Sequence, residues 1–265
     1  MQMDGNTIFI TGGTSGIGRG LARAFHQRGN QVIVAGRREE RLREVCESHP
    51  GMAWFVLDVT KPEAIRDIAG RVVAHFPALN CVINNAGVQM HLSFGTDGAL
   101  DDARLQEEIG TNLMGPIRVT AAFLPQLAKI AGNDPLLLKS GKSGAPTVIN
   151  VSSGLGFVPM ARFPVYCATK AGIHSWTMSL RQQVQSLGVK VIEIVPPWVA
   201  TELGGAGKPG TTADGHGPMA LDAFIGEAMR ELATGQDEVV VAEAKRLVAA
   251  TSLETAKKVF SFMNG

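Results

Sequence analysis

Along this chain of 265 residues, short β-branched runs alternate with stretches whose apolar residues return every three or four positions. Residues 7–11 (TIFIT), 31–35 (QVIVA), 53–59 (AWFVLDV), 81–83 (CVI), 148–151 (VINV), 190–195 (KVIEIV) and 238–241 (EVVV) read as strands. Ile17, Leu21 and Phe25 mark a helical face, as do Ile65, Ile68, Val72 and Phe76. Leu105, Ile109, Leu113 and Ile117 mark another; Ile173, Trp176, Leu180, Val184 and Leu187 form a wide stripe. Gly29 and Gly188 stand where two of these helices should stop. A further helix over 221–232 precedes the last strand, and the tail from Ala244 reads as helical. Strand and helix in alternation predict an α/β fold, doubly wound, with seven strands in a parallel sheet and helices on both faces. Residues 1–265 are expected to form one domain, with ligand along the carboxyl ends of the strands.

Chemistry gathers at those ends. The first strand runs into Gly12-Gly13-Thr14-Ser15-Gly16-Ile17-Gly18 and then a helix. Strand, glycine turn and helix together let backbone N–H groups approach a pyrophosphate at a helix N-terminus. The second strand ends in Gly36-Arg37-Arg38 instead of an acidic residue. An acid there would hold a ribose 2′-hydroxyl, whereas arginines pair with a 2′-phosphate. That favours NADP(H), with NAD(H) possible; a solvated helix start before Glu39, Glu40, Arg41 and Arg43 is the other reading. Asp58 and Val59 close the third strand near where an adenine would lie, and Asn84-Asn85-Ala86-Gly87 ends the fourth.

The stretch from Val148 to Lys170 carries Tyr166 and Lys170 one helical turn apart, so an ammonium can sit near a phenol. A cation there lowers a pKa of about 10 and makes a usable acid/base. Tyr166 is the only tyrosine beside 11 phenylalanines, which points to the hydroxyl. The competing reading is a core aromatic followed by a surface lysine. Pro116 falls within the third helical stripe, where it crowds the Asn112 carbonyl and predicts a bend.

Thr11-Gly12-x-x-x-Gly16-Ile17-Gly18, Asn84-Asn85-Ala86-Gly87, Ser153, Tyr166-x-x-x-Lys170 and Pro196-x-x-Val199-x-Thr201 occur in one order. In that order and spacing the chain resembles the short-chain dehydrogenase/reductase family, in its compact one-domain form with a Rossmann fold. The resemblance implies interconversion of a small-molecule carbonyl and an alcohol by hydride transfer with NAD(P). It implies that Asn112, Ser153, Tyr166 and Lys170 are catalytic, Ser153 lying thirteen positions before the tyrosine and Asn112 holding a relay water. Cofactor contacts are expected from Gly12, Thr14, Ser15, Gly16, Ile17, Gly18, Arg37, Arg38, Asp58 and Val59. Asn85, Ala86, Gly87, Tyr166, Lys170, Pro196, Val199 and Thr201 complete that set. Pro197 stands where the family usually has glycine. The family also implies a homodimer or homotetramer. An NAD-linked alcohol dehydrogenase and a non-catalytic NADP(H)-sensing module are the rival readings.

Composition trims the alternatives. A net charge of +1 implies no nucleic-acid or anionic-membrane partner. No apolar run reaches the ~18–20 residues of a membrane span, and residues 1–6 lack the features of a signal peptide. Cys46, Cys81 and Cys167 are scattered, which suits a reducing, cytoplasmic location; Cys167 reads as packing. The six histidines have no metal-ligand spacing, and His91 and His174 read as incidental. Gly141-Lys142-Ser143 is no phosphate loop, because Leu136 replaces the required glycine and a strand follows. Residues 131–146 read as a long loop, and 203–233 as a lid region whose first part is glycine-dense. Met90, Leu155, Phe157, Trp198 and Leu203 are the candidate apolar substrate lining.

Overall fold

The computed structural model describes residues 1–92, 94, 100–132, 144–203, 217–250 and 253–264. Seven parallel strands form one sheet: β1 Thr7–Thr11, β2 Gln31–Gly36, β3 Ala53–Val56, β4 Leu79–Asn84, β5 Thr147–Val151, β6 Lys190–Val195 and β7 Glu238–Val240. Their order is β3-β2-β1-β4-β5-β6-β7, so the chain reverses its direction of progress between β1 and β4. A crevice opens at the carboxyl ends beside such a reversal. Helices cover both faces, and the sheet interior is apolar on both sides. That explains why the strands appear as unbroken apolar runs instead of alternating patterns.

The two core layers follow from strand alternation. Ile8 and Ile10 enter one layer with Leu21 and Phe25 of α1 (Gly16–His26) and Phe224 and Leu232 of α7 (Leu221–Thr234). Phe9 enters the other, with Val72 of α3 (Pro62–His75), Phe123 of α5 (Gly115–Gly132) and Leu180 of α6 (Pro164–Val184). The Phe9 and Phe123 rings lie 4.7 Å apart, which locks β1 against α5. The remaining helices are α2 (Glu39–Glu47), α4 (Asp102–Ile109), α8 (Ala244–Val248) and α9 (Leu253–Asn264).

Four expectations change. The third strand stops at Val56 instead of Val59, because its neighbour β2 ends at Gly36; Leu57 N–H makes the last bond, to Gly36 O at 2.9 Å. Asp58 then turns the chain, accepting bonds from Thr60 N and Oγ1 at 2.9 and 2.8 Å. The long helix around Pro116 is divided: α4 passes into a π turn over Gly110–Met114, where Gly115 N–H bonds Gly110 O. The wider turn relieves the crowding a proline imposes on an α-helical carbonyl. Residues 131 and 132 of the expected loop are the end of α5, while 133–143, including Gly141-Lys142-Ser143, lie outside the described residues. Of the lid region, 204–216 also lie outside them and 221–234 are helix α7.

Candidate active site

A cleft of about 1320 Å³ runs along the strand ends, from the glycine turn after β1 to the start of α6. That exceeds the ~300–1,000 Å³ usual for a single small ligand, and leaves room for a dinucleotide with a second molecule beside it. Thr11 Oγ1 accepts bonds from Asn85 N and Ala86 N at 3.1 Å each, and Asn85 Nδ2 donates to Thr11 O and Gly12 O at 3.0 and 3.2 Å. The ends of β1 and β4 are therefore stitched together. Gly12 and Gly16 have φ of +69° and +51°, and a Cβ at Gly18 would lie 2.3 Å from both Asn85 Nδ2 and Gly12 O. Only glycine fits these turns. No acidic residue stands in the first turn of α1, so its positive end faces the cleft uncompensated.

Arg37 and Arg38 both line this cleft, with Asp58 and Val59. Their side chains differ in use. Arg37 donates to Glu107 at 2.7 Å, whereas Arg38 leans on Thr14 Oγ1 and Ser15 Oγ at 3.2 and 3.3 Å. Arg38 and Arg41 converge on the Glu202 carboxylate at 3.7 and 2.7 Å. Arg41, which reads from sequence as part of a solvated helix start, thus belongs to a basic cluster.

At the other end, β5 delivers two serines. Ser152 Oγ donates to Ile194 O at 3.3 Å and supports the turn. Ser153 caps a 3-10 turn over Gly154–Gly156, its Oγ accepting from Leu155 N at 3.1 Å, and its hydroxyl acts on the Tyr166 phenol. That turn presses on α6: a Cβ at Gly156 would lie 2.8 Å from the Lys170 carbonyl carbon. Tyr166 and Lys170 are both buried, with Lys170 Nζ 5.6 Å from the phenol ring centre and donating to Val151 O at 2.8 Å.

Burial pushes the Tyr166 phenol above its ordinary range, and the Ser153 hydroxyl opposes it. Burial also pulls Lys170 down to about 8, against the opposing charge of Glu193. Burial thus outweighs the acidification expected from a neighbouring ammonium. Asn112, buried in the π turn, chelates Val88: Oδ1 accepts from Val88 N and Nδ2 donates to Val88 O, each at 2.8 Å. Nδ2 also reaches Thr169 Oγ1 at 3.3 Å. A Cβ at Gly87 would lie 3.4 Å from Asn112 Oδ1 and 3.9 Å from Lys170 Nζ, so glycine leaves the path between them open.

All other expected contact residues except Gly18 and Asn112 border the same cleft, Pro196, Val199 and Thr201 included. Val199 is fixed by a bridge to Met219. Of the expected apolar lining, Leu155, Trp198 and Leu203 face the cleft; Phe157 instead packs on His174, with ring centres 4.3 Å apart, and Met90 N–H bonds Glu108. Leu247, Val259 and Phe262 from the C-terminal helices add a wall that no motif announced. His91 and His174 are not incidental: they bond Arg162 and Glu193 at 2.5 and 2.8 Å. Among the described residues no helix is long and apolar enough to cross a membrane, and no His, Cys, Asp and Glu cluster has a metal-holding arrangement.

The short chain dehydrogenase profile matches residues 6–210. The uncharacterized oxidoreductase DltE of Bacillus subtilis (strain 168) is 33% identical over 100% of this chain and 98% of its own. A short chain dehydrogenase from Burkholderia cenocepacia J2315, solved in complex with NADP, superposes with a TM-score of 0.79 at 24% identity, covering 99% of each chain. One from Shigella flexneri 2a, also complexed with NADP, is 27% identical with a TM-score of 0.64, over 75% of this chain and 80% of that one.

Proposed function

The chain belongs to the short-chain dehydrogenase family and is an oxidoreductase, and from that premise we propose that it interconverts a ketone or aldehyde and an alcohol using NADP(H), with Tyr166 as general acid and base. The observation that carries this reading is the meeting of Ser153, Tyr166 and Lys170 in one cleft whose far end is lined by Arg37 and Arg38. The NADP held by the 27% identical Shigella structure supports the cofactor assignment.

The residues fit a dinucleotide. Thr14, Ser15, Gly16 and Ile17 border a turn that would take the pyrophosphate, with Gly12 and Gly18 giving it its shape. Asp58 and Val59 would frame the adenine, and Arg37 and Arg38 would hold a 2′-phosphate through charge-assisted bonds. Asn85, Ala86, Gly87, Pro196, Val199 and Thr201 would border the nicotinamide half. Bound NADPH supplies the hydride. Tyr166 hands its phenolic proton to the substrate oxygen in reduction and takes it back in oxidation. Ser153 donates to that oxygen and stabilises the charge developing on it. Lys170 would hold the ribose and, while protonated, favour the phenolate; Asn112 would anchor a water that refills the proton.

We place the enzyme in the cytoplasm as a homodimer or homotetramer, acting on a small molecule. A panel of ketones and aldehydes followed by NADPH absorbance tests the reading. Tyr166→Phe should remove turnover, by about 10²–10⁴-fold for a lost general acid, and leave NADPH binding intact. Turnover surviving in that variant would refute it.

A further inference from the structure

Glu193 interrupts an otherwise apolar strand, and its side chain is fully buried. It lies in register with Asn150 of β5, which is in register with Asn84 of β4. These three form a polar row at or just below the strand ends. Asn84 Nδ2 donates to Asn150 Oδ1 at 2.8 Å, and Asn150 Nδ2 to Thr177 Oγ1 of α6 at 2.9 Å. Glu193 Oε2 takes the next contact on α6, His174 Nδ1, at 2.8 Å, while its Oε1 is buried without a partner. Tyr166, Lys170, His174 and Thr177 thus make one stripe along α6, spaced four, four and three. The His174 side chain is 24% exposed, so the pair has an outlet to solvent.

We propose that Glu193, held by His174, is a positioning residue for the reaction, its buried carboxylate keeping Lys170 cationic beneath Tyr166. This rests on the roles given above to Tyr166 and Lys170. A buried carboxylate with an unbonded oxygen is costly unless cations stand close. His174 lies against it and Lys170 stands one helical turn along the same face, and the Glu193 charge opposes the burial that strips Lys170 of its proton. Other charged groups around the pair are accounted for. Arg181, lower on α6, and Glu238, in register on β7, face each other at 3.7 Å. The 3-10 turn contributes only the Phe157 ring, and α8 packs on that turn through Ala244 and Leu247. The charged Lys245 and Arg246 of α8 pair with Glu227 and Glu243. Glu108 of α4, also buried, acts on Tyr166 as well.

The test compares the parent with Glu193→Gln and His174→Leu in two assays. The first is the pH profile of kcat/KM for carbonyl reduction. The second is ultraviolet titration of the phenolate in the NADP⁺-bound protein, which needs no turnover. Glu193→Gln should move the alkaline limb to lower pH by ~1 unit, roughly a tenfold loss on that limb, and raise the phenolate midpoint. KM for NADPH should stay within about twofold. His174→Leu should shift both in the same direction, because it removes the contact that fixes the Glu193 carboxylate. A merely structural role would lower Tm and leave both titrations in place, and that result in either folded variant overturns the proposal. If the parent reduces no carbonyl but its phenolate midpoint still moves in Glu193→Gln, the coupling stands and the assigned reaction fails.

Discussion

Arg38→Ala separates a 2′-phosphate site from a solvated helix start. Hydrogen bonds to charged groups are worth ~1.5–3 kcal/mol. The Arg38 side chain is 49% exposed, so solvent screening trims its share to about 1–2 kcal/mol. That corresponds to a loss of ~5–30-fold in kcat/KM for NADPH, with NADH changed by less than about twofold. Arg37→Ala should cost less, roughly threefold, because the Arg37 guanidinium is engaged by Glu107 at 2.7 Å. Glu202→Gln should act the other way. Its carboxylate lies 2.7 Å from Arg41 and 3.7 Å from Arg38 and competes with a phosphate for both. NADPH should bind that variant about two- to threefold more tightly, and less so as salt is raised. Steady-state kinetics with both cofactors, backed by fluorescence titration, give these numbers. An unchanged NADPH/NADH ratio in Arg38→Ala, or a larger loss from Arg37→Ala, would refute the reasoning.

Two further predictions concern the turn and the lysine. Gly18→Ala puts a methyl 2.3 Å from Gly12 O and Asn85 Nδ2, so the β1–β4 stitching must open; Tm should fall and NADPH affinity drop by at least about tenfold, and a variant that binds like the parent would contradict the assigned turn. Burial pulls Lys170 to about 8 in the free enzyme, so kcat/KM should decline as pH rises through that value and the ammonium is lost. Lys170→Arg, which stays charged, should push this limb to higher pH; a limb common to both proteins would assign it to another group.

The strands were legible because a sheet covered on both faces needs apolar residues at every position. The same logic overran at residues 57–59: Leu57 and Val59 are buried, yet from above the strand end, where the chain has already left the sheet. Pro116 announced a distortion but not its form, since a bend and a π turn relieve the same clash. In the site, Tyr166 and Lys170 could be paired from spacing alone, and the glycines from their place between strand and helix. What escaped depends on contacts across the sheet. Glu193 left a visible signal, a charge inside an apolar strand, but its partner His174 is nineteen residues away and only the packing of α6 on β6 brings them together. The wall made by Leu247, Val259 and Phe262 left none, because apolar lining is a matter of shape.

Tyr166 is the chain's single tyrosine, so phenolate absorbance in the ultraviolet reports its ionisation alone. With NADP⁺ bound, the midpoint should fall well below the ordinary value of about 10, and Lys170→Ala should raise it. A midpoint that stays at or above about 10 with cofactor bound, in the parent and in Lys170→Ala alike, would contradict Tyr166 as the proton donor.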